Sequence, residues 1–201
     1  MKKTKSPDRE LSAEKAKAIL DGAMREFLAH GYAATSMDKV AAAAGVSKAT
    51  VYSHFQDKER LFTALIQELA QQKSVFNLQT LQGEPSIVLR RFATGMLENV
   101  MTDPQILTLI RLIIGESGRF PELAQSFVRN IEKPTIEALS QYLASHPKLR
   151  LPDPEVASRT FIGALVHYII LQEMLHGEDI LPMERDRLIN NLVDLITATS
   201  N

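Results

Sequence analysis

The sequence predicts an all-α protein of about nine helices, and three observations carry that expectation. Apolar residues recur every three or four positions along most of the chain, the spacing at which side chains share one helix face. No stretch alternates polar and apolar residues for long enough to form a strand. Beyond residue 84 the helix starts repeat one device, a capping residue type beside a proline, which loses no intrahelical hydrogen bond at a first helical position.

The elements follow in order. Residues 1–11 form a charged tail with Lys2, Lys3 and Lys5 clustered, read either as a frayed terminus or as a basic arm reaching DNA phosphates. Ser12 caps a first helix whose stripe is Ile19, Leu20, Ala23, Met24, Phe27 and Leu28, and Gly31 ends it. A second helix over 37–44 places Met37, Val40, Ala41 and Ala44 on one face. Thr35 and Ser36 precede it as capping types, and Asp38 stands three positions after Thr35, at capping-box spacing. The run Ala41 to Ala44 leaves a smooth surface for another helix backbone. Gly45 supplies the positive φ of a sharp stop, Val46 plugs the turn, and Ser47 caps a third helix over 48–54.

That third helix has an unusual surface. Val51 and Phe55 lie four apart and must face inward, leaving Lys48, Ala49, Thr50, Tyr52, Ser53 and His54 outside. A cation, two hydroxyls, a methyl, a phenol and an imidazole are groups that contact phosphates, thymine methyls and base edges. A structural corner in any all-α domain is the competing reading of such a turn. For Tyr52 the alternatives are a phosphate contact or packing of its ring on the core. His54 as a metal ligand is unsupported, since no second ligand type stands at a suitable spacing.

Asp57 caps a fourth helix that begins at Lys58 and runs through Leu69, as far as Phe76. Its N-terminus favours anions, and Lys58 beside it makes a phosphate clamp plausible. Gln82-Gly83-Glu84-Pro85 interrupts the pattern. Helices then follow over 87–101, 105–117, 121–145 with a kink at Pro134, 155–175 and 183–198. The last two are apolar on more than one face, through Phe161, Ile162, Leu165, Tyr168, Ile169 and Leu175, then Ile189, Leu192, Val193, Leu195 and Ile196. Such helices need a partner beyond their own domain.

Residues 31–61, GYAATSMDKVAAAAGVSKATVYSHFQDKERL, resemble the DNA-binding domain of the TetR/AcrR family of bacterial transcriptional regulators. The shared pattern is G-x-x-x-T, then A-x-x-A-G-V-S-x-x-T-x-Y-x-H-F, then D-K-E-x-L. The resemblance implies a DNA-binding head over 1–58 and a ligand-binding and dimerisation body over 59–201. It also implies that Thr35, Tyr52 and Lys58 touch backbone phosphates, while Lys48, Ala49, Thr50 and His54 lie nearest the bases or the groove edge. Two chains would join their last two helices into a four-helix bundle, bringing two heads to successive major grooves of a double-stranded, palindromic operator. A small, largely apolar effector in the body would release a repressor from that operator, and no cofactor is implied. Candidate pocket residues are Phe92, Met96, Phe127, Tyr142, His167 and Met174; each is otherwise plain core.

Composition agrees. Of 201 residues, 45% are hydrophobic and 23% charged, enough apolar material for an ordinary core. Net charge is −1, divided as +3 over residues 1–60 and −4 over the remainder, a slightly basic head on an acidic body. No cysteine is present, the N-terminus lacks the apolar stretch of a signal peptide, and the apolar runs at 106–114 and 161–171 are too short to span a membrane. A cytoplasmic location is expected. No catalytic motif stands in the chain: Glu116 and Arg119 read as an ion pair and His167 as a core residue. The alternative to a DNA-binding regulator is a helical adaptor that binds proteins through its apolar terminal helices.

Overall fold

The computed structural model describes residues 7–72 and 81–198; the lysine cluster at 2–5 and the continuation of the fourth helix to Phe76 lie outside them. Nine helices run through the described residues, with no strand among them. In order they are α1 (Pro7–Ala34), α2 (Met37–Ala44), α3 (Lys48–His54), α4 (Lys58–Gln72), α5 (Pro85–Thr102) and α6 (Pro104–Glu116). The bent α7 joins Pro121–Phe127 to Lys133–Ala144 through a π turn at Val128–Glu132. Then come α8 (Pro154–Ile169, closing in a π turn at Ile170–Met174) and α9 (Arg185–Thr197). Among the described residues no helix is long and apolar enough to cross a membrane.

Local chemistry accounts for most boundaries, and several differ from expectation. α1 begins at Pro7 rather than after Ser12, so the proline start signal that marks the later helices operates here too. Gly31 does break α1, with φ 79° and ψ 165°, and one further turn follows to Ala34. Ser36 alone caps α2, its hydroxyl accepting from the Lys39 N–H, and no Thr35–Asp38 capping box forms. The kink expected at Pro134 is a π turn lying just before it. A proline ring collides with the carbonyl four residues back, here Asn130, and a widened turn relieves that collision. A 3₁₀ turn at Pro147–Leu149 has no counterpart in the sequence reading, and α9 starts two residues late, after Glu184.

The chain divides into two compact units: one extends to Leu69 and includes Thr108–Phe127, and the other comprises Ala70–Leu107 with Val128 onward. The first therefore reaches past the 58/59 boundary read from sequence and recruits a later segment. Its centre is aromatic. Phe27 stacks on Tyr32 at 5.5 Å between ring centroids, Phe62 meets both edge-on, and Phe120 meets Tyr32 edge-on at 5.0 Å. Ile19, Val40, Val51, Leu61 and Ile66 are buried around them.

In the second unit α5, the Lys133–Ala144 part of α7, α8 and α9 enclose Leu89, Phe92, Met96, Leu97, Leu139, Leu143, Phe161, Leu165, Ile189 and Val193. This corrects part of the interface argument. Phe161, Ile162, Leu165, Tyr168 and Ile169 on α8, with Ile189, Val193 and Ile196 on α9, fill the unit's own core. Leu175 and Leu195 remain outside, at 64% and 75% exposure. His167 is a second correction: it lies on the exposed side of α8, not in the core.

Candidate nucleic-acid interface

The candidate reading surface is built on α1, α2 and α3. The α2 alanines do what their size permits. A Cβ built on Gly22 of α1 would stand 2.9 Å from the Ala44 backbone nitrogen, so this crossing admits only glycine. Gly22→Val should force α1 and α2 apart, at about 1–3 kcal/mol for overpacking. The expected result is a thermal midpoint several degrees lower by circular dichroism; an unchanged midpoint would show the crossing to be loose.

The turn itself follows the expected chemistry. Gly45 adopts the left-handed conformation (φ 68°, ψ 28°) and its N–H returns to the Ala41 and Ala42 carbonyls. Arg25 adds a cation at the same helix end, donating to the Ala43 carbonyl at 2.5 Å. Ser47 caps α3, its hydroxyl accepting from the Thr50 N–H at 3.1 Å. Val51 is fully buried and Phe55 half-buried. The rotation of α3 is therefore set, and its opposite side faces solvent.

On that side stand Lys48, Ala49 and Tyr52, all exposed, with Thr50 and His54 half-buried at its margins. Tyr52 is 44% exposed and its ring lies 5.9 Å from the Lys48 ammonium, so of its two readings the outward one matches its placement. The Thr50 hydroxyl shares a hydrogen bond with Ser47 Oγ at 2.8 Å, and the ring of His54 lies 6.1 Å from that of Phe55. One partner was not foreseen: Asp38, expected in a capping box, pairs with Lys48 at 2.8 Å. The hydrogen bond to Asp38, then its charge, raises the Lys48 pKa. Only the fold of α3 over the first turn of α2 brings these two together.

Two expected phosphate contacts are placed differently. Thr35 is 2% exposed, and its hydroxyl is directed at the Gly31 and Glu26 carbonyls, at 2.8 and 3.1 Å. Lys58 turns its ammonium onto carbonyls at the end of α1. Neither side chain belongs to the outer face of α3. Asp57 does cap α4, accepting from the Arg60 N–H at 2.7 Å.

Two helices at a glycine turn, the second presenting a cation, a phenol and a methyl outward, define a DNA-binding regulator of the helix-turn-helix class. Comparison with known proteins gives the family. Residues 19–65 match the bacterial regulatory proteins of the tetR family, and residues 87–199 match the AefR-like transcriptional repressor C-terminal domain. The chain belongs to the TetR family of transcriptional regulators, which are not enzymes.

It is 32% identical to the HTH-type transcriptional regulator AcrR of Shigella flexneri over 132 residues, 62% of this chain and 60% of that protein. The chain thus matches under two thirds of AcrR's length. Among solved structures, the flavonoid-responsive regulator FrrA is 32% identical, with a TM-score of 0.69 over 90% of this chain and 92% of its own. A TetR-family regulator from Mesorhizobium loti MAFF303099 superposes with a TM-score of 0.73 at 27% identity, covering 93% and 96%.

Proposed function

We propose that this chain is a dimeric, cytoplasmic repressor that reads a palindromic operator through α3 and leaves it when a small, largely apolar ligand binds the body. The observation that carries the reading is the outward face of α3, where Lys48, Ala49 and Tyr52 stand exposed while Val51 anchors the helix from behind. Within it Lys48 and Tyr52 meet phosphates or groove edges, and Ala49, Thr50 and His54 lie closest to base edges. Selection of bound fragments from a genomic library tests this reading. Recovery of an inverted repeat supports it; recovery of nothing above input, with proteins captured through the terminal helices instead, would favour an adaptor.

Repression is supported by the match of residues 87–199 to a repressor domain. The dimer is assigned to α8 and α9. Val156, Thr160, Gly163 and His167 recur at helical spacing on the exposed side of α8, and a Cβ on Gly163 would meet nothing within 4 Å. A helix-interior glycine there is destabilising by about 1 kcal/mol against alanine, which close approach of a second helix would offset. Leu195 of α9 supplies an exposed apolar side chain. Leu195→Glu should convert a dimer to a monomer in light scattering without lowering helix content; a persistent dimer would move the interface elsewhere.

For the effector, Phe92, Met96 and Tyr142 are buried in the second unit, with the Tyr142 hydroxyl donating to the Gly83 carbonyl at 2.8 Å. Exposed His167 is not part of this set. The flavonoid response of FrrA supports an aromatic ligand class. Release requires that the ligand prefer one spacing of the paired heads, since equal affinity for both would shift nothing.

A further inference from the structure

Lys48 is the single lysine of α3, which carries no arginine, and the acid that holds it belongs to another helix. Asp38 stands in the first turn of α2, where the helix dipole favours a carboxylate, and Lys48 opens α3, where the dipole disfavours a cation. Both carboxylate oxygens reach the ammonium, Oδ1 at 2.8 Å and Oδ2 at 2.9 Å. The carboxylate thus takes one or two of the ammonium's three N–H groups and leaves at least one for an acceptor outside. Nearby cations are turned to the main chain instead: Lys39 Nζ donates to the Ala34 carbonyl at 3.0 Å, and Arg25 donates to that of Ala43. The pair adds little to the fold, because both side chains are 60% exposed and water and salt leave such a pair small net stability.

We propose that Asp38 is a positioning residue for base reading: it withdraws the Lys48 charge from the phosphates and leaves an aimed N–H for one base-edge acceptor, such as guanine O6 or N7. A free lysine is a point charge on a flexible stem that serves any phosphate within reach. Tethered to a carboxylate that its own helix holds, the same ammonium is fixed in place before DNA arrives, so less freedom is lost when it binds. The pair is also electrically neutral, so it adds little to the sequence-independent attraction between protein and backbone. Selectivity is a difference of affinities, and both effects widen it. The Tyr52 ring, 5.9 Å from the ammonium, borders the same spot.

This role rests on α3 reading an operator, and one arm of the experiment needs no operator. Full-length wild type, D38N, K48M and the D38N/K48M double variant are compared by fluorescence anisotropy on two duplexes of equal length. One duplex is enriched from a random pool by wild type; the other is unrelated. For D38N, affinity for the unrelated duplex should rise about threefold to fivefold, the scale of an exposed ion pair. Its salt slope there should steepen by about 0.9, as the freed ammonium neutralises one more phosphate. Affinity for the enriched duplex should stay level or fall, because the aim of Lys48 is lost as its charge is released. In the K48M background most of the gain on the unrelated duplex should vanish, since a tether with nothing to hold has no effect. If D38N does not fold, D38S carries the same comparison. Equal gains on the unrelated duplex with and without Lys48 would make Asp38 a general repeller of DNA and overturn the tether. Equal gains on both duplexes, or no gain on the unrelated one, would overturn it too. Should wild type enrich no duplex, the operator reading fails by itself, and the unrelated duplex with the K48M cycle decides the tether.

Discussion

Lys48→Glu is expected to lower operator affinity by about a hundredfold or more if α3 is the reading helix we propose, because charge reversal would then replace attraction to DNA with repulsion. The new carboxylate would also face Asp38, the present partner of Lys48 at 2.8 Å, so two anions would oppose one strand. Fold should survive, since residue 48 is exposed at the start of α3 and its ammonium pairs with the equally exposed Asp38. Fluorescence anisotropy on a selected duplex, alongside a thermal melt, separates the two effects. Affinity within threefold of wild type would place the reading surface elsewhere.

The second large effect is on stability. Phe62→Ala should destabilise the first unit by about 3–5 kcal/mol, the usual loss for removing a fully buried aromatic ring. Phe62 has no exposed surface and meets Phe27 and Tyr32 edge-on, at 5.5 and 5.6 Å. Its loss therefore leaves a cavity and also breaks the ring contacts that hold Tyr32 against Lys58 and Phe120. For a chain of this size the melting midpoint should fall by about 10 °C. A fall under about 2 °C would show that the aromatic cluster collapses around the gap at little cost, and that the head is held mainly elsewhere.

These two residues show how far the sequence could be read. Lys48 stood out because a solvated helix seldom carries a lysine, two hydroxyls, a phenol and an imidazole together, and the structure does place Lys48 and Tyr52 outside. Val51 and Gly45 were equally legible, since helical period and positive φ are local rules. Asp38 was misread for the opposite reason. Three-residue spacing suggested a cap, but a carboxylate goes where the nearest cation is, and that cation comes from a different helix. The partners of Lys58 were equally illegible. At a helix start beside Asp57 it resembled a phosphate clamp, whereas the carbonyls it binds lie more than twenty residues earlier in the chain. His167 lies in an apolar run but on its exposed side, which a count of neighbouring residues does not resolve.

What the sequence determined by itself was everything governed by neighbours in the chain: the helical class, the starts marked by capping residues and prolines, the breaks at Gly31 and Gly45, and the motif that places the chain in its family. Tertiary structure alone decided which carbonyls Lys58 and Thr35 would satisfy, which acid would hold Lys48, and how much of the apolar surface of α8 and α9 their own unit consumes. Those outcomes depend on groups brought together across the chain, where orphaned hydrogen bonds and unpaired charges accept whichever partner packing supplies. Spacing along one helix carries no record of that choice.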